Sequence, residues 1–256
     1  MNDDPAEPGH DAIFRSPPHR PRVGLRHYVV VHLVLVPLGL AGLAWLFQHG
    51  PLDMALARLF VDPTTQRFAW HDSFVLDVLG HQAARGLPVL VAAIALAAGA
   101  AGFRVPVLRP WRPILLTLGA AMLLGPLLVN VLKGMTSQHC PTAQQAFGGV
   151  IDYAVEQAGR FWAASRQSAG HCLPSGHAGG GYALLSLYFA GWAAGRPTWR
   201  WRGLVIGIAA GLLFSVVRMM QGAHFGSATL WSATVDWTVC ALLFLPVLCT
   251  PTKRPA

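Results

Sequence analysis

Six long apolar stretches, almost without charge, constrain what this chain can fold into. A helix rises about 1.5 Å per residue, so roughly 20 apolar residues cross the ~30 Å hydrocarbon core of a bilayer. Stretches of about this length run from His27 to Phe47, Gly86 to Phe103, Pro113 to Leu132, His177 to Ala194, Leu204 to Met220 and Ser227 to Leu248. We therefore expect an all-α fold, a polytopic membrane bundle of six transmembrane helices.

The composition excludes a water-soluble globule. Of the 256 residues, 54% are hydrophobic and only 12% are charged, whereas soluble domains carry about 25% charged residues. The net charge of +8 would suggest a nucleic-acid partner in a soluble protein. In a membrane protein the same charges are topology signals, so we expect the bilayer, and no nucleic acid, as a partner.

The basic residues fall mostly on one side of the predicted bundle. Twelve of the nineteen lie in the N-terminal tail, in the second-to-third and fourth-to-fifth connections, and at the C-terminus: Arg15, Arg20, Arg22, Arg26, Arg104, Arg109, Arg112, Arg196, Arg200, Arg202, Lys253 and Arg254. The positive-inside rule makes this side cytoplasmic. We expect both termini inside a bacterial inner membrane, with a disordered tail (1–26), one six-helix domain (27–250) and a short C-terminal tail (251–256). The sequence gives no indication of oligomeric state.

Polar groups capable of chemistry gather at the outer ends of the third to sixth spans. Lys133 ends the third span, Ser175 and His177 begin the fourth, and Arg218 and His224 flank the turn between the last two. A serine N-cap followed by glycine exposes backbone N–H groups to an anion, and lysine and arginine add positive charge. Two histidines supply a nucleophile and an acid. These residues predict a phosphate site at the outer face.

Three motifs resemble those of the type 2 phosphatidic acid phosphatase family, which shares its helical core with vanadium-dependent haloperoxidases. They are Lys133 with Pro141, the string PSGH at 174–177, and Arg218 followed six residues later by His224. The resemblance implies that His224 is the nucleophile, forming a phosphohistidine, and that His177 protonates the leaving group. It further implies that Lys133, Ser175, Gly176 and Arg218 hold the phosphoryl oxygens, without a metal or other cofactor.

The expected activity is a phosphatase acting on a lipid phosphate or diphosphate at the outer leaflet. Two alternatives stay open. A phosphotransferase would share the first half-reaction, and a catalytically weak lipid-phosphate-binding or transporting protein would share only the binding site. The substrate candidates are phosphatidic acid, phosphatidylglycerol phosphate, undecaprenyl diphosphate and lipid A phosphates.

The chain departs from the family motifs at three positions. Cys140 stands where the family has arginine, Val217 where it has serine, and Ala228 where it has the aspartate that orients the nucleophile. We expect Ser227 to substitute in part for that aspartate. Two arginines of the long outer loop, Arg160 and Arg166, are the candidates to replace the missing arginine.

Further expectations concern residues around these motifs. Cys140 and Cys172 each adjoin a motif on the oxidising side, so we expect a disulfide between them, the alternative being two free thiols. His139 and His171 lack a metal-binding spacing, so we expect no zinc site. Asp236, inside the sixth span, is expected to bond to a neighbouring helix. In the first outer connection, helical spacing predicts short helices at headgroup level, which either frame a lipid entrance or cap the bundle.

Overall fold

The computed structural model describes residues 23–78, 84–159, 161–163 and 170–249, together with Pro18 and Gln82. Within these ranges every regular element is a helix, and β-pairing is limited to isolated bridges. In chain order the α-helices are α1 (Leu25–His49), α2 (Leu52–Arg58), α3 (Phe74–Asp77), α4 (Ala84–Ala101), α5 (Arg112–Lys133), α6 (Tyr153–Ala158), α7 (176–193), α8 (Pro197–Met220) and α9 (Gly226–Cys249). A π-helical stretch, Val29–Leu35, lies within α1, and a 3-10 turn, Ala183–Leu185, lies within α7. Three more 3-10 turns lie in connections: Pro106–Leu108, Pro141–Ala143 and Gln145–Phe147.

Four helices are long and apolar enough to cross a bilayer, namely α1, α5, α8 and α9. The apolar part of α4, Gly86–Ala101, is shorter, and the 3-10 turn divides α7. All six predicted stretches lie in helices, and each helix begins earlier than expected, by one or two residues in five cases and by seven in α8. Helix α1 starts at Leu25, inside the expected tail, and α8 starts at Pro197 rather than Leu204, because proline presets the backbone for the first turn. The rest of the N-terminal tail, apart from Pro18, Val23 and Gly24, and the whole C-terminal tail lie outside the described residues.

The long helices expose large apolar side chains. Leu38 on α1 is 65% exposed, and Val205 and Leu213 on α8 are 65% and 59% exposed. Faces of this kind are unfavourable in water but match hydrocarbon, where every backbone polar group is satisfied inside the helix. The chain is therefore a membrane protein.

Glycines bring α7 and α8 into backbone contact. A Cβ atom at Gly181 would lie 2.7 Å from the Ala210 carbonyl oxygen, and one at Gly207 would lie 2.6 Å from the Leu185 nitrogen. Any larger residue would separate the helices, and such close packing is what associates helices in a bilayer. As a result α7 lies in the interior, and residues 178–186 are all buried.

Side-chain hydrogen bonds join the first helix to the last. The Tyr28 hydroxyl donates to the Ala241 carbonyl oxygen at 2.8 Å, and Trp237 Nε1 donates to the His32 carbonyl oxygen at 3.0 Å. Tyr28 is completely buried, so its hydroxyl needs this partner. The contacts fix α1 against α9, which carries part of the candidate site at its beginning.

Asp236 corrects an expectation from the sequence. This residue is completely buried on α9, but neither carboxyl oxygen has a hydrogen-bond partner among the described residues. A Cβ atom at Gly125 of α5 would lie 2.1 Å from Oδ1, and one at Gly179 of α7 would lie 3.3 Å from Oδ2. The expected bond to a neighbouring helix is wrong because the facing positions are glycines, which provide space without a side-chain donor.

Two long connections fold over the end of the bundle where α5 ends and α7 and α9 begin, which we call the site end. The first contains α2 and α3, and both occupy segments whose spacing predicted short helices. Leu59 and Phe74 are 74% and 78% exposed, as expected for side chains at headgroup level. The second contains α6, whose Tyr153 hydroxyl donates to the Gln48 carbonyl oxygen at the end of α1 (2.8 Å).

Candidate active site

Ser175 begins α7 as its N-cap. Its Oγ accepts a hydrogen bond from the Ala178 N–H (3.4 Å), and its own N–H donates to the Ala228 carbonyl oxygen of α9 (3.0 Å). The residue is completely buried. The N–H groups of the next residues, Gly176 and His177, are first-turn donors with no acceptor within the helix. Together with the positive helix end they form a local environment that suits an anion.

A cavity of about 400 Å³ opens between α4, α5 and α7 at the site end. One part of its wall is polar and contains Asn130, Lys133, Gly176 and His177. The rest is mainly apolar and includes Val89 and Leu123, which are 56% and 41% exposed on the outside of the bundle. The cavity therefore connects this polar wall with the apolar outer surface of the bundle. His224 and Arg218 are not part of its wall.

Arg218 lies in the last turn of α8, half-buried. Its Nη1 donates to Gln221 Oε1 at 2.8 Å, and its Nε has no hydrogen-bond partner among the described residues. The guanidinium is close enough to the Lys133 ammonium for the two positive charges to interact, and Asp77 of α3 also interacts with it. Two cations held together at a partly buried position provide a local excess of positive charge, which favours an anion between them.

His224 lies in the turn between α8 and α9 and is 2% exposed. Its Nδ1 is 2.9 Å from the Cys172 carbonyl oxygen. Because a carbonyl only accepts, Nδ1 carries the proton and donates, which leaves the Nε2 lone pair for another partner. Burial lowers the pKa of His224 well below its usual range, and the charges of Lys133, Arg218 and His177 lower it further. The ring is therefore neutral at neutral pH, as a nucleophile must be.

The residue expected to replace the missing aspartate does not do so. The Ser227 hydroxyl donates to Asp53 Oδ2 of α2, and the Ser227 N–H donates to Asp53 Oδ1 at 2.8 Å. Ser227 is thus engaged away from the imidazole, whose Nδ1 is held by the Cys172 carbonyl instead. Ala228 is 1% exposed, so its methyl group is packed where the family motif has a carboxylate.

Cys140 and Cys172 form a disulfide, with their Cα atoms 5.1 Å apart. It joins the loop after α5 to the loop before α7, next to the carbonyl that holds His224. Cys172 Sγ also lies 3.4 Å from the Ala223 carbonyl oxygen, one residue before His224. The cross-link therefore stands at the position of the missing arginine. Arg160 and Arg166, the candidates to replace that arginine, lie outside the described residues.

The loop before the disulfide is held by an acidic residue that the sequence did not single out. Glu156 Oε1 is 2.6 Å from His139 Nδ1 and accepts the His139 N–H at 2.9 Å, while its Oε2 accepts from Gln144 Nε2 at 2.9 Å. Residue spacing does not predict a carboxylate beside His139, because this one comes from α6, which folds back onto the loop. Among the described residues no group of three His, Cys, Asp or Glu side chains could hold a metal ion.

Asp53 is the second residue that sequence reasoning missed. The amphipathic spacing of α2 predicts a solvent-facing polar residue at this position, whereas Asp53 is 1% exposed and accepts hydrogen bonds from the first turn of α9. The signal was weak, because an acidic residue in a short surface helix normally faces water. His171, the other histidine of this region, is exposed.

The comparisons with known proteins bear on the second half of the chain. No individual curated protein and no solved structure is significantly similar to it. A family model, described as the PAP2 superfamily, matches residues 114–248, just over half of the chain. That range begins in α5 and ends in α9, and it includes all of the site residues described above except Asp53, Asp77 and Val89. Such a match means phosphatase-type phosphoryl transfer in a membrane setting. The chain belongs to the PAP2 superfamily.

Proposed function

We propose that this protein is a lipid phosphatase that cleaves a phosphomonoester or diphosphate of a membrane lipid through a phosphohistidine intermediate. The observation that carries the proposal is the cavity between α4, α5 and α7. Its polar wall contains Lys133, Gly176 and His177, and its apolar wall reaches lipid-facing Val89 and Leu123. A soluble phosphate ester does not require an apolar path from the bilayer to the site, whereas the tail of a lipid substrate does.

The reaction would proceed in two steps. In the first, His224 Nε2 attacks phosphorus, the bond from phosphorus to the lipid oxygen breaks, and His177 gives its proton to that oxygen. In the second, His177 takes a proton from water, the resulting hydroxide attacks the phosphohistidine, and inorganic phosphate leaves as the N–P bond breaks. Lys133 and Arg218, with the first N–H groups of α7, hold the phosphoryl oxygens. No step requires a metal.

The membrane arrangement belongs to the same proposal. We assign six spans, with α4 and α7 as the two short ones. Helix α4 has 18 residues and α7 is enclosed by its neighbours, so neither has to present a full-length apolar face to lipid. Six spans put both termini on the arginine-rich side, which is cytoplasmic, and put the site end at the outer leaflet of a bacterial inner membrane.

Phosphate release from a panel of lipids tests this function. Purified protein in detergent, with chelator present, is given phosphatidic acid, phosphatidylglycerol phosphate, undecaprenyl diphosphate and a lipid A phosphate. We expect release from at least one lipid and background release from His224→Ala. The matched control is His171→Asn, which removes an exposed imidazole and should keep wild-type activity. Equal release by wild type and His224→Ala on every lipid would refute the proposal.

Trapping the intermediate tests the mechanism separately. With a labelled substrate, wild type should carry a phosphoryl group that is stable in alkali and labile in acid, as expected of phosphohistidine. His177→Ala should form this species more slowly than wild type, because the acid for the first step is missing, and His224→Ala should not form it. Label that survives in His224→Ala would assign the nucleophile to another residue.

A further inference from the structure

The turn that carries His224 is clamped by the first outer connection. His71 Nδ1 is 2.9 Å from the Gln221 carbonyl oxygen at the start of the turn. The Phe68 ring packs on Gly222, where a Cβ atom would lie 2.3 Å from the ring. Both residues precede the range matched by the family model, 114–248. This clamp is therefore contributed by a part of the chain outside the recognised core.

Asp53 is the innermost contact of the clamp. Its side chain is 1% exposed, and both oxygens accept hydrogen bonds from Ser227, one from the N–H at 2.8 Å and one from the hydroxyl. The Gly226 N–H also stabilises the carboxylate. It thus sits on the first turn of α9, at the positive end of a 24-residue helix. A buried carboxyl group is costly unless several donors meet it, and here they do.

Asp53 acts on the imidazole indirectly, through residues that are close to His224 in sequence. The residues that Asp53 holds, Gly226 and Ser227, follow His224 after a single intervening residue. On the other side of the ring, the Cys172 carbonyl holds Nδ1 at 2.9 Å. The imidazole is therefore oriented from two sides. One partner acts on the ring, and the other acts on the backbone that the ring extends from.

We propose that Asp53 is a positioning residue for phosphoryl transfer, supplied by α2 in place of the carboxylate that the histidine motif lacks at position 228. This rests on the function proposed above. In the family motif a single aspartate would orient the ring directly. Here the neutral carbonyl of Cys172 binds the ring, and the carboxylate of Asp53 binds the first turn of α9. Asp53 is 174 positions from Ser227 in sequence.

The variant Asp53→Asn tests the proposal. An asparagine still accepts the Ser227 N–H, but its NH₂ group faces the remaining donors, so α9 loses one anchor and the first turn shifts. A displacement on the order of 1 Å at a reacting group lowers turnover by up to about 100-fold. We expect kcat to fall about 10-fold to 100-fold, with KM changed less than about threefold. Inhibition by orthovanadate, which mimics the five-coordinate phosphorus, should weaken by a similar factor.

Two further variants complete the test. Ser227→Ala removes the hydroxyl donor and keeps the N–H donor, so it should lower kcat about threefold to tenfold. It also carries the test if Asp53→Asn does not fold. Asp62→Asn is the matched control, because Asp62 is a carboxylate of the same connection whose hydrogen-bond donors, within the described part of the chain, are its neighbours Thr64 and Thr65. It should behave as wild type, and thermal unfolding of each variant reports the folded fraction.

The outcomes separate this proposal from the one on which it rests. If wild type hydrolyses a lipid and folded Asp53→Asn and Ser227→Ala keep its kcat within twofold, Asp53 has no positioning role. The same holds if kcat falls only in proportion to the folded fraction and vanadate inhibition is unchanged. If wild type releases no phosphate from any lipid, the lipid-phosphatase function is refuted, and the positioning role is refuted with it.

Discussion

Replacing both Cys140 and Cys172 by serine should both destabilise the protein and disturb the position of His224. The two residues are 32 positions apart, and closing a loop of that length in the unfolded chain is worth about 3.7 kcal/mol. In detergent the unfolded state keeps part of its helices, so the cross-link removes less entropy from it. The lower value for the stabilisation by the disulfide is therefore roughly 2 kcal/mol. For a chain of this size the loss corresponds to a fall in Tm on the order of 5 to 15 °C.

The same substitution should lower turnover for a separate reason. The cross-link fixes Cys172, whose carbonyl oxygen accepts from His224 Nδ1, and without it the segment keeps hydrogen bonds such as the one from the Cys172 N–H to the Gln138 carbonyl oxygen (3.1 Å). We expect kcat to fall about tenfold. The fall in activity and the fall in Tm should both be reproduced by adding reductant to wild type.

The assay is thermal unfolding and lipid phosphate release with and without reductant, on wild type, the double serine variant and Cys249→Ser. The last removes a thiol that is free and remote from the site end, so it should remain as sensitive to reductant as wild type. A double variant that unfolds within 2 °C of wild type would refute the reasoning. So would a double variant whose Tm still falls on addition of reductant.

Two other predictions follow from the site. Ala228→Asp, which restores the family residue, should lower Tm because the new carboxyl group would be buried without a cation. It should not raise kcat, because His224 already donates its Nδ1 proton to the Cys172 carbonyl oxygen, and a raised kcat would contradict this. Burial raises the pKa of Asp53 from 3.8 to about 6, so the folded state binds this proton more tightly than the unfolded state. The unfolding free energy therefore falls by up to about 3 kcal/mol as pH rises from about 4 to about 6. The lowered pKa of His224 acts in the opposite direction, so Tm should be compared between wild type and Asp53→Asn at pH 4.5 and 7. Relative to Asp53→Asn, the Tm of wild type should be lower at pH 7 than at pH 4.5. A Tm difference that is the same at both pH values would contradict the raised pKa of Asp53.

Apolar periodicity and charge distribution in the sequence predicted most of the fold. The six apolar stretches are all helical because in a bilayer an isolated apolar segment satisfies its backbone only as a helix, whatever its neighbours do. The ends of the helices were less predictable. Helix α8 extends back to Pro197 through Trp199, Arg200 and Trp201, residues that a hydropathy argument excludes but that a helix accepts at a membrane interface.

The motif residues could also be found in sequence, since Lys133, His177, Arg218 and His224 all lie at helix ends that a bundle of this kind brings to one side. Their surroundings could not. Whether Asp236 meets a donor depends on which residues face it, and those are Gly125 and Gly179, far away in sequence.

The sequence by itself determined that this chain is a membrane protein, which ends of its helices carry the motif residues, and at which positions it departs from its family. Only the tertiary structure decided how those departures are accommodated. The His224 ring is held by the Cys172 carbonyl, and the turn that carries it is held by Asp53. A carbonyl is present at every residue and an aspartate on a short amphipathic helix is commonplace, so neither has a sequence signature. Each acquires its role only because folding removes it from water and places a donor beside it.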